Sequence, residues 1–158
     1  QAGIIVGREE LITKLKKHPL ARAIRADKIC LAALSATLLH YLKNEQQEKI
    51  PIWRMISTPI EELQKRANSW VALLEQGKVI PGQSTVGGGS LPEETLPTFL
   101  LSLSTRSPKK FLSQLRSAQI PVIARIQENK VILDPRTILP EQDGMLITNL
   151  HNIIKEEG

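Results

Sequence analysis

Aromatic residues are almost missing from this 158-residue chain: two Trp, one Tyr and two Phe make up 3% of it. A core must then be assembled from Leu, Ile, Val and Ala, with Trp53 and Trp70 as isolated core or interface anchors. Cysteine is scarcer still. Cys30 stands alone, which excludes an internal disulfide and a cysteine-rich metal site. It lies in an apolar helical stretch and reads as a small core residue. No apolar run approaches the ~20 residues that a membrane-spanning helix needs. The opening, QAGIIVGREE, has neither a basic n-region nor a cleavage-site pattern, so it does not read as a signal peptide. It also lacks an initiator Met and reads as an internal piece of a longer chain. These absences make a cytoplasmic location the expectation. His18, His40 and His151 are too scattered for metal-ligand spacing. Ser84, Ser90 and Ser102 lack the nucleophile-elbow pattern.

Positive charge, by contrast, is present and unevenly placed. The net charge is +5. Residues 1–28 carry seven basic side chains (Arg8, Lys14, Lys16, Lys17, Arg22, Arg25, Lys28) against three acids, Glu9, Glu10 and Asp27. A basic arm of this kind suits an anionic partner, whether phosphate, nucleic acid or a charged substrate, or simply forms a solvated helix face.

The apolar period divides the chain. GIIV, at residues 3–6, reads as a short buried strand, and REELITKLKK as a helix with Leu11, Ile12 and Leu15 on one face. Pro19 suits the first position of a new helix, which the spacing of Ile24, Leu31, Leu34, Leu38 and Leu42 extends to about Leu42. KNEQQEK reads as a polar linker and IPIWRMIS as a short extended segment. The stretch from Thr58 to Gly77 is the strongest helix signal, with Thr58 as cap, Pro59 opening, Glu61 completing a capping box and Gly77 closing. KVIPGQSTV and LPTFLLSLS read as strands around a glycine loop. SPKKFLSQLRSA reads as a helix capped by Ser107, VIARIQENKVILD as a hairpin around ENK, and LPEQDGMLITNLHNIIK as a last helix. This order predicts an α+β fold: a small, mainly antiparallel sheet covered by helices, preceded by a strand and helices.

Three constellations are candidates for chemistry. Arg22 and Arg25 are three apart on an expected helix, so both project from one face; paired guanidiniums present planar donor forks to an oxyanion. The bland alternative is a solvent-facing pair, or one bonded to Asp27 and Glu9. In STVGGGSLP, the missing Cβ atoms of Gly87, Gly88 and Gly89 permit either a turn or close approach of a ligand to the main chain. No Lys-Ser/Thr follows, so this is not a nucleotide phosphate loop. Finally, Asp134-Pro135-Arg136 ends a strand and reads as loop capping rather than catalysis.

The blocks QAGIIVG, HPLARAIRADKICLAALSATL, IPGQSTVGGGSLPEETLP and PVIARIQENKVILDPRTILPEQD occur in the same order in one family. Over residues 1–147 the chain resembles bacterial selenocysteine synthase, the L-seryl-tRNA(Sec) selenium transferase family. ARAIRADK and GGGSLP carry the resemblance most specifically. Ala26 departs from the family pattern, and the tail HNIIKEEG matches nothing in it.

The resemblance implies a pyridoxal 5′-phosphate enzyme of the aspartate-aminotransferase type. Residues 1–50 would be the end of the large cofactor domain with a connecting helix, and residues 51–158 the small C-terminal α+β domain. It implies that the Schiff-base lysine lies upstream of QAGIIVG. This piece alone would then carry no catalytic residue, hold no cofactor and be inactive, and Lys28 would not substitute. It implies that Arg22 and Arg25 bind a selenophosphate-like oxyanion, and that a small-domain loop, Ser84 with Gly87, Gly88, Gly89 and Ser90, closes over the substrate. The implied reaction eliminates water from serine esterified to tRNA(Sec) and adds selenium from selenophosphate, in a ring-like homo-oligomer with no membrane attachment. Two alternatives stay open. One is a pyridoxal-phosphate lyase of the same superfamily acting on a phosphorylated amino acid or amino sugar; the other is an RNA-binding or interaction module that uses the basic arm.

Overall fold

A computed structural model describes residues 3–87 and 91–157 of the chain. The chain forms two units, Gln1–Ile50 and Pro51–Gly158. In the first, α1 spans Glu9–Lys17, with acids in its first turn and lysines in its last, the arrangement that complements the helix dipole. His18 Nδ1 then accepts a hydrogen bond from Leu20 N at 3.2 Å, and Pro19 opens α2, Pro19–Ala23. Next come α3, Lys28–Leu42, and the short α4, Gln46–Lys49, inside the expected linker.

Two expectations fail in this unit. Residues 3–8 belong to no strand. A strand completes its hydrogen bonds only against another strand, and this unit offers none among the described residues. The helix expected from Leu20 to Leu42 is two helices. Asp27 is extended (φ −73°, ψ 170°), and its carboxylate accepts from Cys30 N at 2.8 Å. An aspartate in that conformation starts a helix rather than continuing one.

The second unit begins with α5, Pro51–Ser57, where an extended segment was expected. Pro51 sits at the first helical position, and Ile52, Met55 and Ile56 recur three and four apart, a helical period hidden in a short apolar run. α6 follows, Ile60–Leu74, burying Leu63, Ala67, Trp70 and Leu74 along one stripe. Its cap position is Pro59; Thr58 Oγ1 instead donates back to Arg54 O at 2.6 Å. Glu75 is left-handed (φ 53°) and Gly77 has φ +95°. A Cβ on Gly77 would lie 2.7 Å from Leu103 Cδ2 and 3.0 Å from Ser102 O, so glycine is required where the chain drops onto the sheet.

The sheet is antiparallel throughout, in the order β1-β2-β4-β3, with β1 Lys78–Gly87, β2 Leu91–Leu103, β3 Arg125–Gln127 and β4 Lys130–Leu133. Between β2 and β3 lies α7, Pro108–Ser117, whose Ser107 occupies the cap position without a side-chain bond. The β3–β4 turn is Glu128-Asn129, both left-handed (φ 49° and 59°), the geometry of a two-residue hairpin. α8, Asp143–Glu157, closes the fold. Leu101, Leu103, Val131 and Leu133 alternate out of β2 and β4 into one core with Trp70, Phe111, Leu115, Leu146 and Leu150. The fold is therefore α+β with helices packed on a small antiparallel sheet. Among the described residues no helix is long and apolar enough to cross a membrane.

Candidate functional site

The arginine pair lies at the break between two helices. Arg22 is in the last turn of α2, while Arg25 follows the cap residue Ile24 and lies in the connection to α3. The two therefore do not share one helix face, as their spacing predicts. The cause is the competition for the backbone at Asp27. That same competition bears on their charge. The Asp27 carboxylate is engaged by Cys30 N, and by Cys30 Sγ at 3.5 Å; these bonds hold its pKa below the ordinary aspartate value. Both arginines are exposed, and neither makes an ion pair among the described residues. Two uncompensated guanidiniums thus stand at and within a short connection, with their donor forks available to an oxyanion. An apolar cleft of about 580 Å³, lined by Ile5, Ile12, Leu15, Leu20 and Ile24 with His18 at its side, opens beside them. Neither arginine lines it.

The glycine segment divides differently from its sequence reading. β1 runs to Gly87 and β2 starts at Leu91, paired to it. Gly88, Gly89 and Ser90 lie outside the described residues. Nothing stands within 4 Å of a Cβ built on Gly87. Ser84 is not a loop residue. It lies inside β1, is 3% exposed, and its hydroxyl donates to Asp134 Oδ2 at 2.5 Å. Its side chain is enclosed and committed to Asp134.

Asp134 is the hub of a buried network that the sequence reading reduced to a loop cap. Besides Ser84 it accepts from Thr98 Oγ1 at 2.9 Å and from Arg136 N at 3.0 Å. The Arg136 side chain turns the other way. Its Nη1 donates to Met55 O, Ile56 O and Thr58 O at 3.0, 3.1 and 3.2 Å, and its Nη2 to Pro97 O at 2.7 Å. It thereby caps the end of α5 against β2. Burial pushes this guanidinium's pKa down from the usual arginine value, and the nearby Asp134 charge opposes the fall. Arg66 makes a second such tie, bridging Asp143 at 2.6 Å and the carbonyls of Pro135 and Ile138 while lying 5.6 Å over the Trp70 ring. Nothing in the spacing of these arginines marks them as internal ties; only the fold brings the carbonyls to them.

A pyridoxal-phosphate site of the implied type needs an enclosed amine and an aspartate free to pair with the ring nitrogen. Every lysine among the described residues is exposed, Lys28 included. Asp27, Asp134 and Asp143 are all engaged, on Cys30, on the Ser84–Thr98 pair and on Arg66. The residues present do not compose that site. Among the described residues no group of three or more His, Cys, Asp or Glu could hold a metal ion.

Known proteins resemble this chain closely. A family model described as L-seryl-tRNA selenium transferase matches residues 1–139. Curated proteins called L-seryl-tRNA(Sec) selenium transferase match along nearly all of it. The one from Aliarcobacter butzleri is 46% identical over 98% of this chain and 35% of its own length. That from Geotalea daltonii is 43% identical over 98% and 36%, and that from Clostridium perfringens 40% over 100% and 35%. The chain spans about a third of the length of these relatives.

Proposed function

The chain belongs to the L-seryl-tRNA selenium transferase family, and we propose that it is the C-terminal portion of an enzyme that converts seryl-tRNA(Sec) to selenocysteinyl-tRNA(Sec) with selenophosphate. In this reading Gln1–Ile50 is the end of the cofactor domain and Pro51–Gly158 the small C-terminal domain. Pyridoxal phosphate and the lysine that holds it belong to the part of the relatives that this chain does not span. The whole enzyme is a cytoplasmic homo-oligomer.

The role of this chain's own residues is anion binding. Arg22 and Arg25 hold the oxyanion of the selenium donor and orient it toward the reacting serine carbon. Hydrogen bonds to charged groups contribute about 1.5–3 kcal/mol each, and orientation adds to the rate without new chemistry. Gly87, open at the mouth of the β1–β2 hairpin, is the approach for the substrate's main-chain side; Ser84 has no part in it. The observation that carries the reading is the pair of exposed guanidiniums without carboxylate partners, within a chain that the family model matches along residues 1–139.

The test is made on the full-length protein loaded with pyridoxal phosphate. It should form selenocysteinyl-tRNA from seryl-tRNA(Sec) and selenophosphate. Turnover of a phosphorylated amino acid or amino sugar, with none of seryl-tRNA(Sec), would replace this reading by the lyase alternative.

A further inference from the structure

A second cationic site, away from the arginine pair, lies on the sheet of the second unit. A pocket of about 190 Å³ is lined by Gln76, Gly77, Lys78, Ile80, Ser102, Ser104 and Lys130. The strand register explains why these residues meet. Lys78 pairs with Ser102, and Ser102 pairs in turn with Ile132. Directly paired residues share a face, and so do residues two apart. Lys78, Ser102 and Lys130 therefore stand on the same side of three adjacent strands, and Ser104 joins them just past the end of β2. The pocket floor is Ser102, 5% exposed, whose hydroxyl has no hydrogen-bond partner among the described residues and yet is not among the sealed polar atoms. Its remaining exposure opens into the pocket.

The charge of the site is uncompensated. Neither Lys78 nor Lys130 makes an ion pair among the described residues, although Glu75 and Glu128 are each within three residues in sequence. Gly77 lines the pocket through its main chain, because a Cβ there would point at Leu101 and Leu103. Two ammonium groups at the rim with two hydroxyls between them offer point charges and short donors to a compact oxyanion. An apolar ligand would leave these groups unpaired. A carboxylate offers only one face of oxygens, whereas a tetrahedral phosphate presents oxygens to both lysines and to the floor at once.

We propose that this pocket binds a phosphate group, either free or as part of an RNA backbone. The site does not depend on the activity proposed above. Binding is measured on the 158-residue chain by amide chemical shifts and fluorescence, with inorganic phosphate and, separately, with a hairpin RNA. Inorganic phosphate should shift the amides of Gly77, Lys78, Ser102, Ser104 and Lys130 in a saturable way. The Lys78→Gln/Lys130→Gln double variant should bind at least about 10-fold more weakly, while Lys65→Gln/Lys110→Gln, with the same loss of charge on the same unit, should bind as the parent does. If RNA is the natural source, it shifts the same amides, and the first double variant lowers the salt slope of RNA binding by about two while the second does not. If phosphate alone shifts them, the source is a small phosphorylated compound. Equal weakening in both double variants would reduce the effect to net charge and overturn the proposal. So would shifts confined to other residues, or no saturable shift with either probe.

Discussion

At the scale of single residues, the second unit is tied together by Arg66 and by Arg136, which spends its donors on backbone carbonyls alone. Arg136→Met keeps the length of the side chain but leaves the carbonyls of Met55, Ile56, Thr58 and Pro97 without their donor. Unpaired buried polar groups cost about 1–3 kcal/mol each, so this variant should lose about 3 kcal/mol or more of unfolding free energy in urea titration. A loss below about 1 kcal/mol would mean that water replaces the guanidinium. Gly77→Ala should cost about 1–3 kcal/mol as well, because its φ is left-handed and its new methyl meets Leu103 and the Ser102 carbonyl. The glycine at the end of a helix signal is readable from sequence, and its role as closure follows from its position. The buried arginine is not readable: Asp134-Pro135-Arg136 gives the turn and the cap, both of which are present, but no local pattern tells that four distant carbonyls converge on Arg136.

At the scale of elements, strong local signals outlast weak ones. The hairpin around Glu128-Asn129, the two long strands, α6, α7 and α8 all follow from period and punctuation. The expectations that fail are two short apolar runs and one long helical period that a capping residue interrupts. IPIWRMIS forms a helix because Pro51 and the Ile52–Met55–Ile56 spacing outweigh its β-branched content. The opening GIIV forms no strand because a strand is defined by its neighbour. The helix through Arg22 and Arg25 breaks because Asp27 prefers to cap.

The join of α5 to the following structure also sets a pH dependence. Arg54 donates to both carboxylate oxygens of Glu141, at 2.9 and 3.0 Å, and this pairing lowers the Glu141 pKa and raises that of Arg54. A carboxylate with a lowered folded-state pKa stabilises fully above its unfolded value. That contribution is lost as pH falls through the folded value, while Arg54 stays charged throughout. The urea midpoint should therefore fall on acidification below the ordinary glutamate pKa of about 4.3. Glu141→Gln should flatten that part of the profile, and the pair is exposed, so the difference should be small and vanish in high salt. A profile identical in the variant and the parent would show that other carboxylates set the acid limb.

At the scale of the whole molecule, the two units differ in kind. The second has a closed core. In the first, α1, α2 and α3 bury no residue within the chain, and Ile4, Ile5, Val6, Ile24, Ile29 and Leu42 are all more than half exposed. α3 is apolar around its whole circumference, the pattern of a helix enclosed on every side. A surface of this kind promotes association. Light scattering of the 158-residue chain at micromolar concentration should report species heavier than 17.6 kDa. A monodisperse monomer would show that the first unit rearranges to cover itself. The sequence displays this apolar excess plainly; what covers it is not written in the same residues, because burial on all sides requires surfaces from elsewhere.

The family assignment and the exposed, unpaired state of Arg22 and Arg25 meet in a single functional claim, that these guanidiniums grip the selenium donor's oxyanion. The most direct measurement is the KM for selenophosphate of the full-length enzyme with Arg22→Ala or Arg25→Ala, alongside its KM for seryl-tRNA(Sec). Loss of a charged hydrogen bond of about 1.5–3 kcal/mol predicts a rise of at least about 10-fold in the selenophosphate value, with the seryl-tRNA(Sec) value unchanged. Unchanged selenophosphate KM and kcat in both variants would contradict the claim.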